Sequence, residues 1–265
     1  MITKGDKMIG SIENFIKYRF LLVELIKKGI KLKYRRSYLG IIWTLIEPLL
    51  TMMVLTFVFS TLFGNTDKSY PVYILTGRLL YSFFSTSTKA ALKSIRSNSG
   101  MIKKVYVPKY LYPLSSILFN FVIFLLSLIV LVGVALVLGV WPTVYILQAI
   151  VPLINILLLS FGAGMILATL GVFFRDLEYL WGVALMLVMY ASAIFYYPEK
   201  LLNSGKGWIL KFNPLYCIID NFRSAVFGEF MDMKMLLYSF AFSIVSIAIG
   251  LYFFYKKQDD FILYI

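Results

Sequence analysis

The side chains able to do chemistry are few, and the missing ones narrow the field first. The sequence has no histidine and one cysteine, Cys217. That removes histidine-based metal sites, Ser-His-Asp triads, histidine proton relays, an intrachain disulfide and any cysteine-cluster metal site. Gly5 and Gly10 have the spacing of the glycines in G-x-x-x-x-G-K-[ST], but Ser11 follows where a lysine must reach the phosphates, and no strand precedes them. The chain cannot hold ATP in that way, so an ATP-driven process would need a nucleotide site on another polypeptide. What remains is charge set among apolar residues: Glu47, Arg78 and the Arg175-Asp176 pair. A charge at the centre of a membrane helix costs roughly 2.5–3.5 kcal/mol on insertion scales, which makes function the default reading. The fork of Arg78 suits a phosphate group; the alternative is snorkelling to outer headgroups. Glu47 either takes part in function or sits at headgroup level beside Pro48, and Arg175-Asp176 reads as a local pair at the interface. Aromatic residues make up 17% of the chain. Tyr81, Phe83 and Phe84, and then Tyr190, Phe195, Tyr196 and Tyr197, are denser than an interface belt requires. Such rings can line a substrate channel, or they can serve as belt and packing residues.

These residues need a scaffold, and composition names it. Hydrophobic residues are 60% of 265 and charged residues 15%, against about 45–50% and 25% in ordinary soluble chains; mean hydropathy is +0.84. A soluble fold of this size could not hide so much apolar surface. The fold class expected is an all-α integral membrane protein. Six apolar stretches are long enough to cross a hydrocarbon core, at about 41–63, 70–92, 114–138, 143–172, 178–197 and 235–255. No period-2 alternation recurs as an outer-membrane barrel requires, and residues 1–40 lack the apolar run and small-residue cleavage site of a signal peptide. The 26 Lys+Arg against 13 Asp+Glu concentrate in residues 1–40, 93–112, 173–177 and the tail. By the positive-inside rule these lie in the cytoplasm, with both termini. The basic excess is thereby explained by the membrane, without nucleic acid.

The chain then divides into a cytoplasmic interface segment, 1–40, and a transmembrane domain, 41–265. Within the first, residues 11–37 read as an amphipathic helix that Ser11 caps, with Glu13 in its first turn. Ile12, Phe15, Ile16, Phe20, Val23, Ile26 and Ile30 fall near one face, ahead of the basic cluster. Such a helix lies in the interface, its cations on anionic headgroups. It either anchors the first span or forms part of a docking surface for a cytoplasmic partner.

At Tyr34-Arg35-Arg36-Ser37-Tyr38-Leu39-Gly40-Ile41-Ile42-Trp43, followed by Glu47-Pro48, the sequence becomes specific. With Arg36 a minor departure, it resembles the entry to the first span in permease subunits of ABC type-2 exporters of polysaccharides, O-antigen and teichoic acids. Asn98 to Pro113, Phe174-Arg175-Asp176-Leu177, and Asn213-Pro214-Leu215 with Arg223 resemble that family's later landmarks, in order along the chain. The resemblance implies a permease with no cofactor of its own. It would pair with a second copy of itself and with two copies of an ATPase carrying ATP and Mg, and would move a lipid-linked (polyprenyl-diphosphate) glycan across the bacterial cytoplasmic membrane.

Within that frame, Ser97-Asn98-Ser99-Gly100 breaks the second span, and Met101-Ile102-Lys103-Lys104-Val105 is expected to form a short helix ending before Pro108. Its Met101 and Ile102 would contact the ATPase, with Lys103 and Lys104 at the rim and Arg35 and Arg36 nearby; otherwise it is an ordinary basic loop. Residues 198–233 contain two apolar stretches, at Trp208-Ile209-Leu210 and Tyr216 to Phe227. These read as short re-entrant helices forming an extracellular gate, or as a surface cap. Three other readings fit less well. An ABC type-2 drug or lipid exporter more often carries a large extracellular or fused ATPase domain. An ion-driven secondary flippase would want more intramembrane acids and internal repeats. A membrane glycosyltransferase would need more acids at the membrane face than Asp176 and Glu178.

Overall fold

The computed structural model describes residues 4–35, 38–64, 67–105, 107–202, 205 and 207–265, with side chains from Lys17 onward except that of Lys200. Among the described residues there is no strand. Helix α1 is Lys4–Tyr34, and a 3-10 turn at Gly40–Ile42 leads into α2, Trp43–Phe63. Helices α3 (Tyr70–Ser97), α4 (Ser99–Ile102) and α5 (Leu111–Val137) follow, then a 3-10 turn at Val144–Ala149 that runs into α6, Ile150–Phe173. The chain ends with α7 (Leu177–Tyr190), α8 (Glu199–Leu201), α9 (Trp208–Lys211), α10 (Pro214–Phe227), α11 (Met233–Lys257) and α12 (Phe261–Tyr264).

Four described stretches are long and apolar enough to cross a membrane: Gly40–Phe63, Leu111–Val137, Val144–Phe173 and Met233–Lys257. Two expected spans depart from that standard, for different reasons. Helix α3 has 28 residues, but its last third carries Lys89, Lys93 and Arg96 with Ser94 and Ser97. It is instead the core helix, with Ile74, Leu75, Leu80 and Ile95 fully buried. Helix α7 has only 14 residues, about 21 Å at 1.5 Å per residue, too short for a core of about 30 Å. The uninterrupted helix expected over 178–197 is therefore corrected: it stops at Tyr190.

Local chemistry explains several boundaries. Pro214 takes the first position of α10, where its missing N–H is not needed, and the Asn213 side chain accepts from the Leu215 N–H at 3.0 Å. Asp232 does the same for α11, accepting from Lys234 and Met235. Pro48 lies inside α2 and leaves the Thr44 carbonyl without its helical donor; the Ser127 hydroxyl on α5 reaches it at 3.3 Å. Ser11 lies inside α1, which begins by Lys4, so it is not the cap. The apolar face of α1 is also split. Leu22 is buried and Leu25 packs on the bundle, while Phe20 and Val23 are exposed; Ile12, Phe15 and Ile16 lie outside the described side chains.

The tightest helix pair is α6 with α11, which small residues bring together. A Cβ on Gly162 would lie 2.7 Å from the Ile247 backbone nitrogen, and one on Gly250 would lie 2.8 Å from the Gly162 carbonyl oxygen. Inside this buried seam Asn155 donates to Ser239 Oγ and accepts from Ser243 Oγ, both at 2.8 Å, as interhelical polar pairs in membrane bundles do. Gly162→Ala should therefore destabilise the protein by about 1–3 kcal/mol through overpacking. Gly182→Ala, in open space on α7, should leave the thermal midpoint in detergent unchanged or slightly raised. Equal midpoints for the two variants would show that the seam is looser than described.

Candidate functional site

After Tyr190 the backbone leaves the helix, and Ala193 takes a left-handed φ of 46°. Carbonyls set free in an apolar interior must find donors or cost several kcal/mol each. Here distant side chains supply them. The Tyr70 hydroxyl donates to the Phe195 carbonyl at 2.6 Å, and the Tyr73 hydroxyl lies 3.0 and 2.9 Å from those of Ala193 and Tyr196. Asn213 Nδ2 donates to the Ala191 carbonyl at 3.0 Å. Arg223, 4% exposed, projects from α10 into the same knot. Its guanidinium donates to the carbonyls of Ala193 at 3.1 Å and Tyr73 at 3.2 Å, with longer contacts to Ile194 and Thr76. It lies 3.5 Å from the centre of the Tyr73 ring. Among the described residues no carboxylate is within ion-pair distance, so this is a cation held by dipoles and a π-face. Gly77 makes room for it, since a Cβ there would stand 2.6 Å from Nη2.

Below the knot α7 is pinned to α3 at three levels. Tyr81 donates to the Leu185 carbonyl at 3.0 Å, Trp181 Nε1 donates to Thr88 Oγ1 at 3.0 Å, and Glu178 pairs with Lys93, with Arg96 at 3.9 Å. The expected channel aromatics separate along this line. Tyr81, Phe83, Phe84 and Phe195 are buried within the chain; Phe83 stacks on Phe124 and Phe195 on Phe59. Tyr190 is exposed and Tyr196 and Tyr197 half-buried.

Arg78 and Glu47 are brought to one cleft among α1, α2, α3 and α5. Lys33 joins them from α1. The surrounding protein lowers the Lys33 pKa by desolvation, and the Glu47 carboxylate offsets part of that. Arg78 has Met189 Sδ at 4.0 Å and the Tyr81 ring at 5.9 Å, and no carboxylate within ion-pair range among the described residues.

The segment after α3 folds as a helix at Ser99–Ile102 followed by a turn at Lys103 and Lys104. It starts earlier than Met101 because Asn98 caps α3, donating from Nδ2 to the Ser94 carbonyl. Ile102 is buried and Met101 packs in the same cluster, which includes Ile95, Tyr112 and Phe254. Lys103, Lys104 and Val105 form the exposed surface. Arg35 is exposed beside Lys28 and Lys31; Arg36 lies outside the described residues. No group of three metal-capable side chains occurs among the described residues.

The sequence reading did not single out Lys33, Tyr70, Tyr73 or Thr76. Their roles depend on partners as many as 150 positions away, and the one local signal was Gly77 beside Arg78. Arg223→Met should leave several carbonyls without donors, each costing about 1–3 kcal/mol. Arg223→Lys keeps the charge, loses the fork and should fall between. Thermal midpoints of the purified chains test the order, and a methionine variant as stable as the parent would remove Arg223 from the structural account.

A family model described as ABC-2 type transporter matches residues 21–227. Over 243 residues the chain is 31% identical to the O-antigen export system permease protein RfbA of Klebsiella pneumoniae, covering 91% of this chain and 93% of that protein. It is 27% identical over 259 residues to a protein of the same name from Myxococcus xanthus, covering 96% and 98%. The polysialic acid transport protein KpsM of Escherichia coli is 25% identical over 244 residues, covering 89% and 92%. With a helical bundle of membrane-crossing length and a match over most of its residues, the chain belongs to the ABC-2 type transporter family.

Proposed function

We propose that this chain is the permease of an ATP-driven exporter that moves a lipid-linked polysaccharide, of the polyprenyl-diphosphate kind that carries O-antigen or teichoic acid, across the bacterial cytoplasmic membrane. The observation that carries this reading is the near end-to-end similarity to export permeases for O-antigen. In this reading α1 lies on the inner face of the membrane as an interface segment, residues 1–40, and residues 41–265 form a six-span domain. Helix α3 counts as a span because its first two thirds are apolar and buried, with its exposed cations Lys89 and Lys93 near its end. The fifth span is α7 completed by the irregular stretch to Tyr197, with α9 and α10 dipping back from the outer side as a gate. Both termini are cytoplasmic, since Lys103, Lys104 and Lys109 lie at the end of the bundle where Leu25 of α1 packs beside Ile95, Ile102, Val107 and Phe254.

Two copies of the chain enclose the path, and two copies of a separate ATPase bind ATP and Mg. Lys103, Lys104 and Arg35 meet the ATPase, with Met101 and Ile102 as the apolar base that holds α4 to the bundle. Tyr190, Tyr196 and Tyr197 lie nearest the sugar path. Tyr81, Phe83, Phe84 and Phe195 shape its wall from behind, and Arg78 serves the substrate phosphate.

The purified chain alone should hydrolyse no ATP and gain activity only with its cognate ATPase. Lys103→Glu with Lys104→Glu should weaken that association at least about tenfold, a loss of about 1.4 kcal/mol, while leaving the thermal midpoint unchanged. Hydrolysis by the lone, contaminant-free chain, or unchanged co-purification of the double variant, would overturn the respective assignment. Tyr190→Ala should lower surface glycan per assembled complex without lowering the amount of complex.

A further inference from the structure

Helix α3 is enclosed by its neighbours on every side but one. Between Arg78 and Lys93 the positions that escape burial are Arg78, Ser82, Thr86, Lys89, Ala90 and Lys93. Steps of three and four residues place them in one line along the helix. All but Ala90 are polar, although the buried positions between them include Leu79, Leu80, Phe83, Phe84 and Leu92. The line stops at Arg78. One turn further on, Ile74 and Leu75 are fully buried, and the knot around Arg223 closes that end. In the other direction it runs out through Lys93 and the exposed Ser97 toward Lys103 and Lys104.

Helix α7 bounds this face on one side, held there by the Tyr81 and Trp181 hydrogen bonds. Helices α2 and α5 bound it on the other, where Phe83 stacks on Phe124. Arg78, Ser82 and Thr86 look into the cleft of about 110 Å³ that Glu47 and Thr51 also line, room for several waters at roughly 10–15 Å³ each. Lys89 and Lys93 look into a groove of about 400 Å³ beside Glu178 and Gly182 of α7. The two hollows share no residue. What passes both is the face of α3 itself, on which Thr86 and Lys89 are neighbours one turn apart.

Lipid tails are the wrong cover for this face. Lys93 can carry its charge to the headgroups along its own stem. Arg78 lies about 22 Å further in at 1.5 Å per residue, against a core of about 30 Å. Neither Arg78 nor Lys89 has a carboxylate within ion-pair distance among the described residues. Protein is the wrong cover as well. The exposed faces that flank the line belong to α2 and α7, whose sequences hold one acid each, Glu47 and Glu178. Both acids already face cations of their own chain. Copies apposed through these faces would bring apolar side chains and leave Lys89 without a counter-charge. Water is the cover that fits, and cations in excess of acids along the face make it water enriched in anions.

We propose that the open face of α3 is the wall of a water-filled vestibule that draws in hydrated anions from the cytoplasm and ends blind below the Arg223 knot. Lys89 and Lys93 stand at its mouth, with Thr86 and Ser82 as its hydroxyl lining further in. Its selection is by charge, since hydroxyls and lysine stems spaced along one face fix no single ligand geometry. The inference rests on the export reading for the side of the membrane it opens to and for the assembled state; the face itself stands on burial and charge.

The test uses the full chain with its ATPase in inside-out membrane vesicles, which present the cytoplasmic face, with the unsubstituted chain as the blank. Thr86→Cys and Ser82→Cys are each treated with anionic sulfonatoethyl methanethiosulfonate and with its cationic trimethylammonium counterpart. Each rate is divided by that of the same reagent with a free thiol in solution. Both variants should react with the anionic reagent far faster than Val245→Cys, on the exposed face of α11. On the normalised scale the anion should lead the cation at least about tenfold. Adding Lys89→Gln to the Thr86→Cys chain should cut that lead at least about twofold, and Lys89→Arg should keep it. Thr86→Cys and Ser82→Cys both as slow as Val245→Cys would show a face covered by lipid or protein. Equal normalised rates would show water without attraction for anions, and a lead untouched by Lys89→Gln would place the attraction elsewhere. Each of these overturns the proposal, and in a chain that still exports glycan it does so without touching the export reading. The expected labelling in a chain that exports nothing with its ATPase would uphold the vestibule and sink the export reading instead.

Discussion

The structure turns on a shortage of hydrogen-bond donors where the seventh helix stops. The carbonyls of Ala191, Ala193, Ile194, Phe195 and Tyr196 have no following turn of helix to satisfy them and take side-chain donors instead. Tyr70 and Tyr73 from α3, Asn213 ahead of α10 and Arg223 within it are the answer to that shortage. One buried guanidinium serves two elements at once, since it bonds the broken segment and the Tyr73 carbonyl. The positions of α3, α7 and α10 at this end are therefore a single solution. Gly77 belongs to it as much as the donors do, because any side chain there would occupy the guanidinium's place.

The rest of the bundle sorts into tight and loose partners around that solution. Helices α6 and α11 are drawn together by glycine and serine until backbone meets backbone, and α3 is enclosed almost along its length. Helix α2 is the opposite: Met53, Val54, Phe57 and Leu62 are exposed, and its Pro48 gives up one helical bond to a serine of α5. Helix α7 likewise exposes Tyr179, Leu180, Leu187 and Tyr190. Apolar exposure on this scale suits lipid or a second membrane chain and would be untenable in water. The close-packed pair forms a frame, and α2 and α7, with their exposed apolar faces, border the cleft and the broken segment.

Much of this was legible in the sequence, and the part that was not has a common cause. Helices α2, α5, α6 and α11 follow from uninterrupted apolar length, and the start of α10 follows from Asn213-Pro214. The end of α7 does not, because Ala191-Ser192-Ala193-Ile194-Phe195 is as apolar as the helix before it. What ends the helix is a set of donors far away in the chain, which no local window contains. The aromatic runs misled in a related way. Density alone could not tell Phe83, packed on Phe124, from Tyr190, open to the surroundings, since both sit in equally apolar stretches. Glu47 and Arg78 were recognisable as costly charges, but their meeting in one cleft needed the crossing of α2 and α3, and Lys33 needed the lie of α1 against α5. Ser11 looked like a cap only because its residue type fits that role.

Cys217 is buried at the heart of α10, its sulfur 3.5 Å from the Lys211 carbonyl. Its side chain is fully enclosed by protein, and a thiol buried in apolar surroundings is inert. Burial inside α10 keeps maleimides and oxidants from reaching this sulfur. A single cysteine introduced on the open face of α2 or α7 would then be the one reporter in the chain, and spin or fluorescent labels could follow these helices through a transport cycle in an otherwise native background.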